Sequence, residues 1–318
     1  MNSCFSPWSP RRISEAVKEP ENALWALADV EPRSYRAAVL YERGKERPLS
    51  IPSLRLRRVQ RRLVDSVLSD WAPARLVMSA RGGGVEANVR AHGDASYLSV
   101  RDLKRAFPSV NAKMVHEALV TRGMPADSVA LVRRLITYRN ELPQGAPTSN
   151  HVLDMVLAGM DDAVATAATL AGAFYTRYVD DITLSGPAPL SNVLAVVDSA
   201  VRSAGLKLNT SKSKDYSPRS TDRRINGLLV GPPIRVPEEV HEEVARAIVQ
   251  ARHGNWTANR RGIVGRIEWI ARFEPEAAAK LRVAFNRIDN NGGQFKKRDH
   301  ERKLHHGHRR TRRIAREV

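Results

Sequence analysis

Three aspartates carry the strongest chemical signal in this sequence. Asp180 and Asp181 are adjacent inside FYTRYVDDITLSG, residues 174–186, between two apolar, β-prone runs, and Asp102 ends a third such run, YLSVRD. An adjacent Asp pair is compatible with a plain tight turn, since Asp tolerates turn geometry. The apolar flanks, however, predict a rigid, partly buried hairpin, where neighbouring carboxylates repel and an unpaired buried charge is costly. A divalent cation removes that repulsion. A strand ending in Asp, set beside a hairpin tipped with Asp-Asp, can gather three carboxylates around two ions. Hard Mg²⁺ prefers oxygen ligands of this kind and shares its shell with substrate phosphates. Two ions ~4 Å apart can activate an attacking hydroxyl and stabilise the leaving oxygen in phosphoryl transfer.

The elements that must position these residues follow from spacing. The run 174–186 predicts a strand to Val179, a turn at the two Asp and a strand from Ile182; YLSVRDL, 97–103, predicts another strand. Leu56, Val59, Leu63, Val64, Val67 and Leu68 recur at three and four, giving an amphipathic helix with Arg on its other face. Residues 11–29 predict a helix, 41–53 a hairpin, 80–84 (ARGGG) a basic loop, and 112–138 two helices broken near Gly123 and Pro125. LPQGAPTSN, 142–150, reads as a loop, followed by an Ala-rich helix over about 150–170. Residues 189–204 read as helix and 224–230 as strand. After PPIRVP the pattern becomes wholly helical, with Val240, Val244, Ile248, Ile263, Ile267 and Ile270, so a boundary is expected near 232–237.

Charge narrows the partner. Lys and Arg number 52 against 34 Asp and Glu, for a net +18 and a pI near 10.6. That imbalance points to a polyanion, and nucleic acid before an anionic membrane. Residues 296–318 alone hold ten Lys/Arg against three Asp/Glu; their His305, His306 and His308 read as part of a solvated basic tail rather than a metal site. No apolar run approaches the length of a membrane span, and the first residues lack a signal-peptide core. The single cysteine, Cys4, excludes an internal disulfide and a thiolate zinc cluster. A cytoplasmic location is expected.

The ordered set of blocks resembles the reverse transcriptases, specifically the bacterial retron type, over roughly residues 40–275. LSVRDLKRAFPSV looks like the first palm block, LPQGAPTSN the second, YTRYVDDITLSG the signature palm hairpin, GLKLNTSKSK the next block and RINGLLVG the primer-grip hairpin. The resemblance implies an α+β right-hand polymerase: an N-terminal helical extension over 1–29, fingers and palm over 30–235 with an antiparallel sheet backed by helices, a helical thumb over 236–295, and the basic tail 296–318. It implies Asp102, Asp180 and Asp181 as ligands of two Mg²⁺ ions. Gln144 and Gly145 would lie beside the incoming nucleotide, with Lys45, Arg47 and Lys212 meeting its triphosphate. The alternative for Lys45 and Arg47 is a solvated hairpin face. Phe107, five residues after Asp102, would be the steric gate that selects dNTPs, or else a core aromatic.

The retron block N-A-x-x-H appears as Asn88-Val-Arg-Ala-His92, and V-T-G as Ile225-Asn226-Gly227. The resemblance gives Asn88, His92, Asn226 and Gly227 to RNA recognition, with a satisfied structural histidine the alternative for His92. It implies a structured noncoding RNA as template and primer, a branched multicopy DNA product, a role in phage defence and a separate effector protein, with no membrane. The rival readings are a stand-alone defence or group II intron-derived reverse transcriptase, and a non-catalytic RNA-binding maturase. The intact carboxylate set argues against the last.

Overall fold

The computed structural model describes residues 8–29, 34–42, 45–71, 76–79, 83–93, 95–253 and 260–290. The helix expected over 11–29 is two helices, α1 (Pro10–Val17) and α2 (Glu21–Asp29). Lys18 closes α1 in a left-handed conformation, φ 53°, and Pro20 cannot continue a helical ladder. At the other end the Ser9 hydroxyl oxygen accepts from the Arg12 amide. β1 (Tyr35–Glu42) and β2 (Lys45–Pro52) form an antiparallel hairpin, longer than the sequence suggested; its tip at 43–44 lies outside the described residues. The amphipathic run becomes α3 (Leu54–Ser66), capped by Ser53, with Leu56, Val59 and Leu63 buried. Ile13, Val17, Leu24 and Ala28 join these in one core, so the N-terminal helices are integral to the first unit rather than appended.

The chain continues through α4 (Val85–Ala91), β3 (Tyr97–Asp102), the short α5 (Ala106–Ser109), α6 (Ala112–Thr121), α7 (Ala126–Ile136) and α8 (Ser149–Leu170). Then come β4 (Phe174–Tyr178), β5 (Asp181–Gly186), α9 (Ser191–Ser203), β6 (Lys214–Tyr216), and the small hairpin β7 (Arg224–Ile225) and β8 (Leu228–Leu229). The central sheet has the order β4-β5-β3-β6 and all its pairs are antiparallel. This is the expected α+β arrangement of an antiparallel sheet backed by helices. Of the predicted loop ARGGG, residues 80–82 lie outside the described residues.

Side chains alternate across the pleat, and the two faces of this sheet differ. Tyr175, Ile182 and Leu184 belong to the apolar core with Val152, Val164, Val193 and Val197 of α8 and α9. Thr176, Thr183 and Ser185 on the opposite face are also buried, but polar. Asp102 and Asp181 lie at the end of that polar face, because the register pairs Val100 with Thr183 and Asp102 with Asp181.

The chain divides after Ile234 into a second unit, Arg235–Val318. It contains α10 (Glu238–Arg252), α11 (Arg260–Ala271) and α12 (Pro275–Asn290), with Val244, Ile248, Ile263, Ile267, Ile270 and Phe285 buried. Glu274 ties its first residues down, accepting from the Val236 amide at 2.8 Å and pairing with His241 at 2.9 Å. The basic tail 296–318, with His305, His306 and His308, lies outside the described residues. Among the described residues no helix is long and apolar enough to cross a membrane.

The shared core makes a specific prediction. Ile13 is fully buried, and a buried Ile→Ala change typically costs about 2–5 kcal/mol. Ile13→Ala should lower the stability of the first unit by that amount in urea unfolding. An unchanged midpoint would show that α1 is dispensable to the core.

Candidate active site

The three aspartates are brought together by strand pairing. Asp102 is the last residue of β3 and Asp181 the first of β5, and they face each other across the ladder. Asp180 precedes Asp181 in the turn, and its carbonyl accepts from the Leu103 amide at 2.9 Å, tying the turn to the segment after Asp102. The turn is one residue earlier than the sequence suggested. Tyr178 pairs with Asp181, which leaves Val179 and Asp180 as the two connecting residues and puts Asp181 in the strand.

Val179 has φ 58°. A β-branched residue in the left-handed region is strained, and such a conformation persists only where its surroundings over-determine it. The constraint here is Arg177, whose side chain is wholly buried. Its Nη1 donates to the Val179 carbonyl at 2.7 Å and to Asp154 Oδ1 at 2.9 Å. Its Nε and Nη2 make a bidentate pair with Asp161 at 2.8 and 2.7 Å. The Tyr175 hydroxyl donates to the same Asp161 at 2.5 Å. Asp154 and Asp161 are two turns apart on α8, hence on one face. The Arg177 backbone is used too: its N–H donates to Leu76 at 3.0 Å and its carbonyl accepts from Met78 at 2.7 Å. Burial disfavours the guanidinium's charge, but Asp161 and Asp154 outweigh it and its pKa is raised. Burial pushes the Asp154 carboxyl up against the pull of Arg177.

The electrostatics of the three aspartates suit a cation. Burial, with the charges of Asp180 and Asp102, pushes Asp181 up to about 6, while the Asn226 amide works the other way. Burial and then Asp102 raise Asp180, opposed by Lys212 and Arg47. Asp102 is 5% exposed; its Oδ2 accepts from Lys212 Nζ at 2.6 Å and its Oδ1 from Asn209 Nδ2 at 3.0 Å. One ammonium therefore serves three carboxylates. Among the described residues, no group of three such side chains is already drawn together as a cation cage. The oxygen-only donor set and its surplus negative charge nonetheless fit hard divalent ions.

The other expected site residues fall around this centre unevenly. Arg47 is exposed on β2, close enough for its charge to act on Asp180. The side chain of Lys45 lies outside the described residues. The Gln144 carbonyl accepts from the Ser50 amide of β2 at 2.8 Å, which fastens the 142–148 loop to the hairpin. Gly145 has φ 113°, and a Cβ there would sit 3.5 Å from the Ser50 carbonyl. Phe107 is half-buried on α5 against the core. Lys212 is held by Asp102 and is half exposed.

Asn226 and Gly227 form the two-residue turn of the β7–β8 hairpin, with φ 48° and 82°, the backbone that Asn-Gly favours. Asn226 Nδ2 donates to Asp181 Oδ2 at 2.9 Å. The RNA-facing expectation for Asn88 needs correction, and His92 takes its alternative, a structural histidine with both ring nitrogens bonded. Asn88 and His92 are not on an RNA-facing surface: they are 0% and 1% exposed. Such side chains have no polar atom left for RNA.

Arg177, Asp154, Asp161, Thr176 and Asn209 were not singled out from the sequence. A readable signal existed for the first three. An arginine sits inside an otherwise β-prone run, and two acids seven apart interrupt an apolar helix.

The model of a family described as reverse transcriptase (RNA-dependent DNA polymerase) matches residues 36–244. The chain is 27% identical over 244 residues to the Retron Ec86 reverse transcriptase of Escherichia coli, covering 74% of this chain and 76% of that protein. It is 27% identical over 271 residues to the Retron Mx65 reverse transcriptase of Myxococcus xanthus, covering 77% and 62%. To the Retron Mx162 reverse transcriptase of the same organism it is 26% identical over 253 residues, covering 66% and 51%.

Removing one partner of a buried ion pair leaves an uncompensated charge and costs about 3–5 kcal/mol. Arg177→Met, which keeps length without charge, should lower stability by that amount and also release the Val179 carbonyl. Denaturant unfolding of the purified variant reads the first effect. Wild-type stability would mean that Asp154 and Asp161 are not held by this guanidinium.

Proposed function

The chain belongs to the reverse transcriptase family and is an RNA-directed DNA polymerase, and from that premise we propose that it is the polymerase of a retron. It would copy part of a structured noncoding RNA, its template and primer, into branched multicopy single-stranded DNA, in the cytoplasm and in phage defence with a separate effector protein. The observation that carries the catalytic part is the pairing of Asp102 with Asp181 across β3–β5, with Asp180 alongside. The retron part is supported by the names of the similar proteins and by the blocks at 88–92 and 225–227.

In this reading residues 30–235 are fingers and palm, 236–295 the thumb, and 296–318 a basic arm for RNA. Asp102, Asp180 and Asp181 would hold two Mg²⁺ ions, which would supply activation of the primer hydroxyl and charge stabilisation at the leaving oxygen of nucleotidyl transfer. The chain's own residues do the positioning. Gln144 and Gly145, on a loop bonded to β2, flank the incoming dNTP. Lys45 and Arg47 reach its triphosphate from the hairpin through charge-assisted hydrogen bonds. Lys212, half exposed beside Asp102, is placed to meet the same phosphates. Gly227 and the exposed edge of its turn contact the primer–template. The surplus of Lys and Arg supplies the sequence-independent attraction for RNA, which weakens as salt rises.

The retron assignment is tested on protein purified with its native locus: a short DNA joined to RNA, resistant to proteinase and released by a debranching enzyme, is expected. Free cDNA alone would favour a stand-alone or intron-derived enzyme. Asp102→Asn and Asp180→Asn should abolish primer extension while RNA binding persists. Extension near wild type in either variant would remove the two-metal assignment. For the sugar, a ring at Phe107 under the incoming ribose leaves no room for a 2′-hydroxyl. Phe107→Val should raise the ratio of rNTP to dNTP efficiency at least about tenfold, or ~1.4 kcal/mol of discrimination. A folded variant that rejects rNTPs as wild type does would place the gate elsewhere.

A further inference from the structure

Behind Asp181 lies a chain of hydrogen bonds, buried from Ser185 to Asn88 and partly buried beyond it, in which each proton has one possible place. Asn88 and His92 are four residues apart, so they share the α4 face that lies on β4. His92 bonds through both ring nitrogens, Nδ1 to Ser185 Oγ and Nε2 to Thr176 Oγ1, each at 2.7 Å. Thr176 has a single hydroxyl proton and donates it to Asn88 Oδ1 at 2.5 Å. Its oxygen must therefore accept from His92, which puts the ring proton on Nε2 and leaves Nδ1 to accept from Ser185. Asn88 Nδ2 then donates to Asn226 Oδ1 at 2.6 Å, and Asn226 Nδ2 to Asp181 Oδ2 at 2.9 Å.

Five hydrogen bonds thus run one way, from Ser185 through His92, Thr176, Asn88 and Asn226 to the carboxylate. If the Asn226 amide turned over, its oxygen would face Asp181 and its NH₂ would face that of Asn88. The first contact repels and the second leaves donor against donor. With Asn88 fully buried, water cannot reach its amide to relieve the second fault.

We propose that Asn226 is a positioning residue of the polymerase reaction, holding Asp181 in one orientation, with Asn88, Thr176 and His92 as the internal brace that holds Asn226. The proposal rests on the reading of Asp181 as a metal ligand. The retron-like block at 88–92 then acts from the interior, orienting a ligand rather than reading RNA. Groups that orient a ligand without touching the metal typically contribute 10–100-fold to metal affinity.

The test uses the full chain, without nucleotide, and Mn²⁺ as the probe, with free ion counted by electron paramagnetic resonance. Asn226→Gly removes the amide and keeps the left-handed backbone accessible. It should weaken Mn²⁺ binding about tenfold and leave RNA affinity unchanged. Wild-type Mn²⁺ affinity would overturn the proposal, as would a loss of RNA affinity with Mn²⁺ binding intact. Asp181→Asn in the same titration separates the two levels. If that variant binds Mn²⁺ as wild type does, the ligand reading itself fails. If it loses Mn²⁺ while Asn226→Gly does not, only the positioning role fails. Thr176→Val, which keeps the shape and deletes the hydroxyl, should repeat the Asn226→Gly loss, and Thr176→Ser should restore wild-type affinity. Equal Mn²⁺ binding by the two Thr176 variants would show that the brace does not reach Asp181.

Discussion

A single buried guanidinium underlies the geometry of the candidate catalytic centre. Arg177 neutralises two carboxylates of α8, and the same Nη1 that bonds Asp154 also bonds the carbonyl of Val179. The catalytic hairpin is thereby attached to the longest helix at the residue whose backbone is strained. A hydrophobic replacement could fill this space, and buried ion pairs in general add little net stability over well-packed apolar groups. What apolar contacts cannot supply is direction. A guanidinium with partners on three sides has one acceptable orientation, and that orientation sets where the turn carrying Asp180 begins.

The sheet divides its labour by face. On the α8 side, Tyr175, Ile182 and Leu184 contribute ordinary burial, with the wholly buried Arg177 set among them. On the other side, Thr176, Ser185, Asn88 and His92 form a polar layer that is as dry as the core. Here Asn88, Thr176, His92 and Ser185 satisfy one another in fixed proton directions, while the buried Thr183 hydroxyl of the same face has no partner among the described residues. Burial holds His92 down to about 4, so the ring stays neutral and does not place a charge behind the active site. Both faces converge on the same few residues: one fixes the backbone before Asp180, the other the carboxylate of Asp181.

The charge distribution follows from the same requirement. The chain carries a net +18, yet its catalytic centre concentrates three carboxylates around one lysine. The excess negative charge is local and the excess positive charge is general. In the proposed function a polyanionic template–primer would be attracted by the surface as a whole, and the three carboxylates would keep a place for cations. Lys212 links the two, since it neutralises Asp102 in this structure and is exposed enough to meet an anion.

The amino-acid sequence by itself determined the kind of chemistry and the supply of elements. Three aspartates on β-prone runs, the helical spacing of Leu56, Val59 and Leu63, and the ordered blocks from Asp102 to Gly227 are local patterns. Local patterns survive because helix and strand periods are short. The break at Lys18–Pro20 had a signal in Pro20 but was fixed by the left-handed backbone of Lys18, and the one-residue shift of the turn at Asp180 depended on a backbone conformation that composition did not specify. Only the tertiary structure decided the fates of Asn88 and His92. As a sequence block they resemble a recognition motif, and in the fold they are sealed under β4. Their partner Asn226 is 138 residues away from Asn88, and Arg177 meets its acids across a strand–helix layer. Which polar groups meet at such separations is set by how the layers pack, because burial makes each group's bonding obligatory only after the fold has chosen its neighbours.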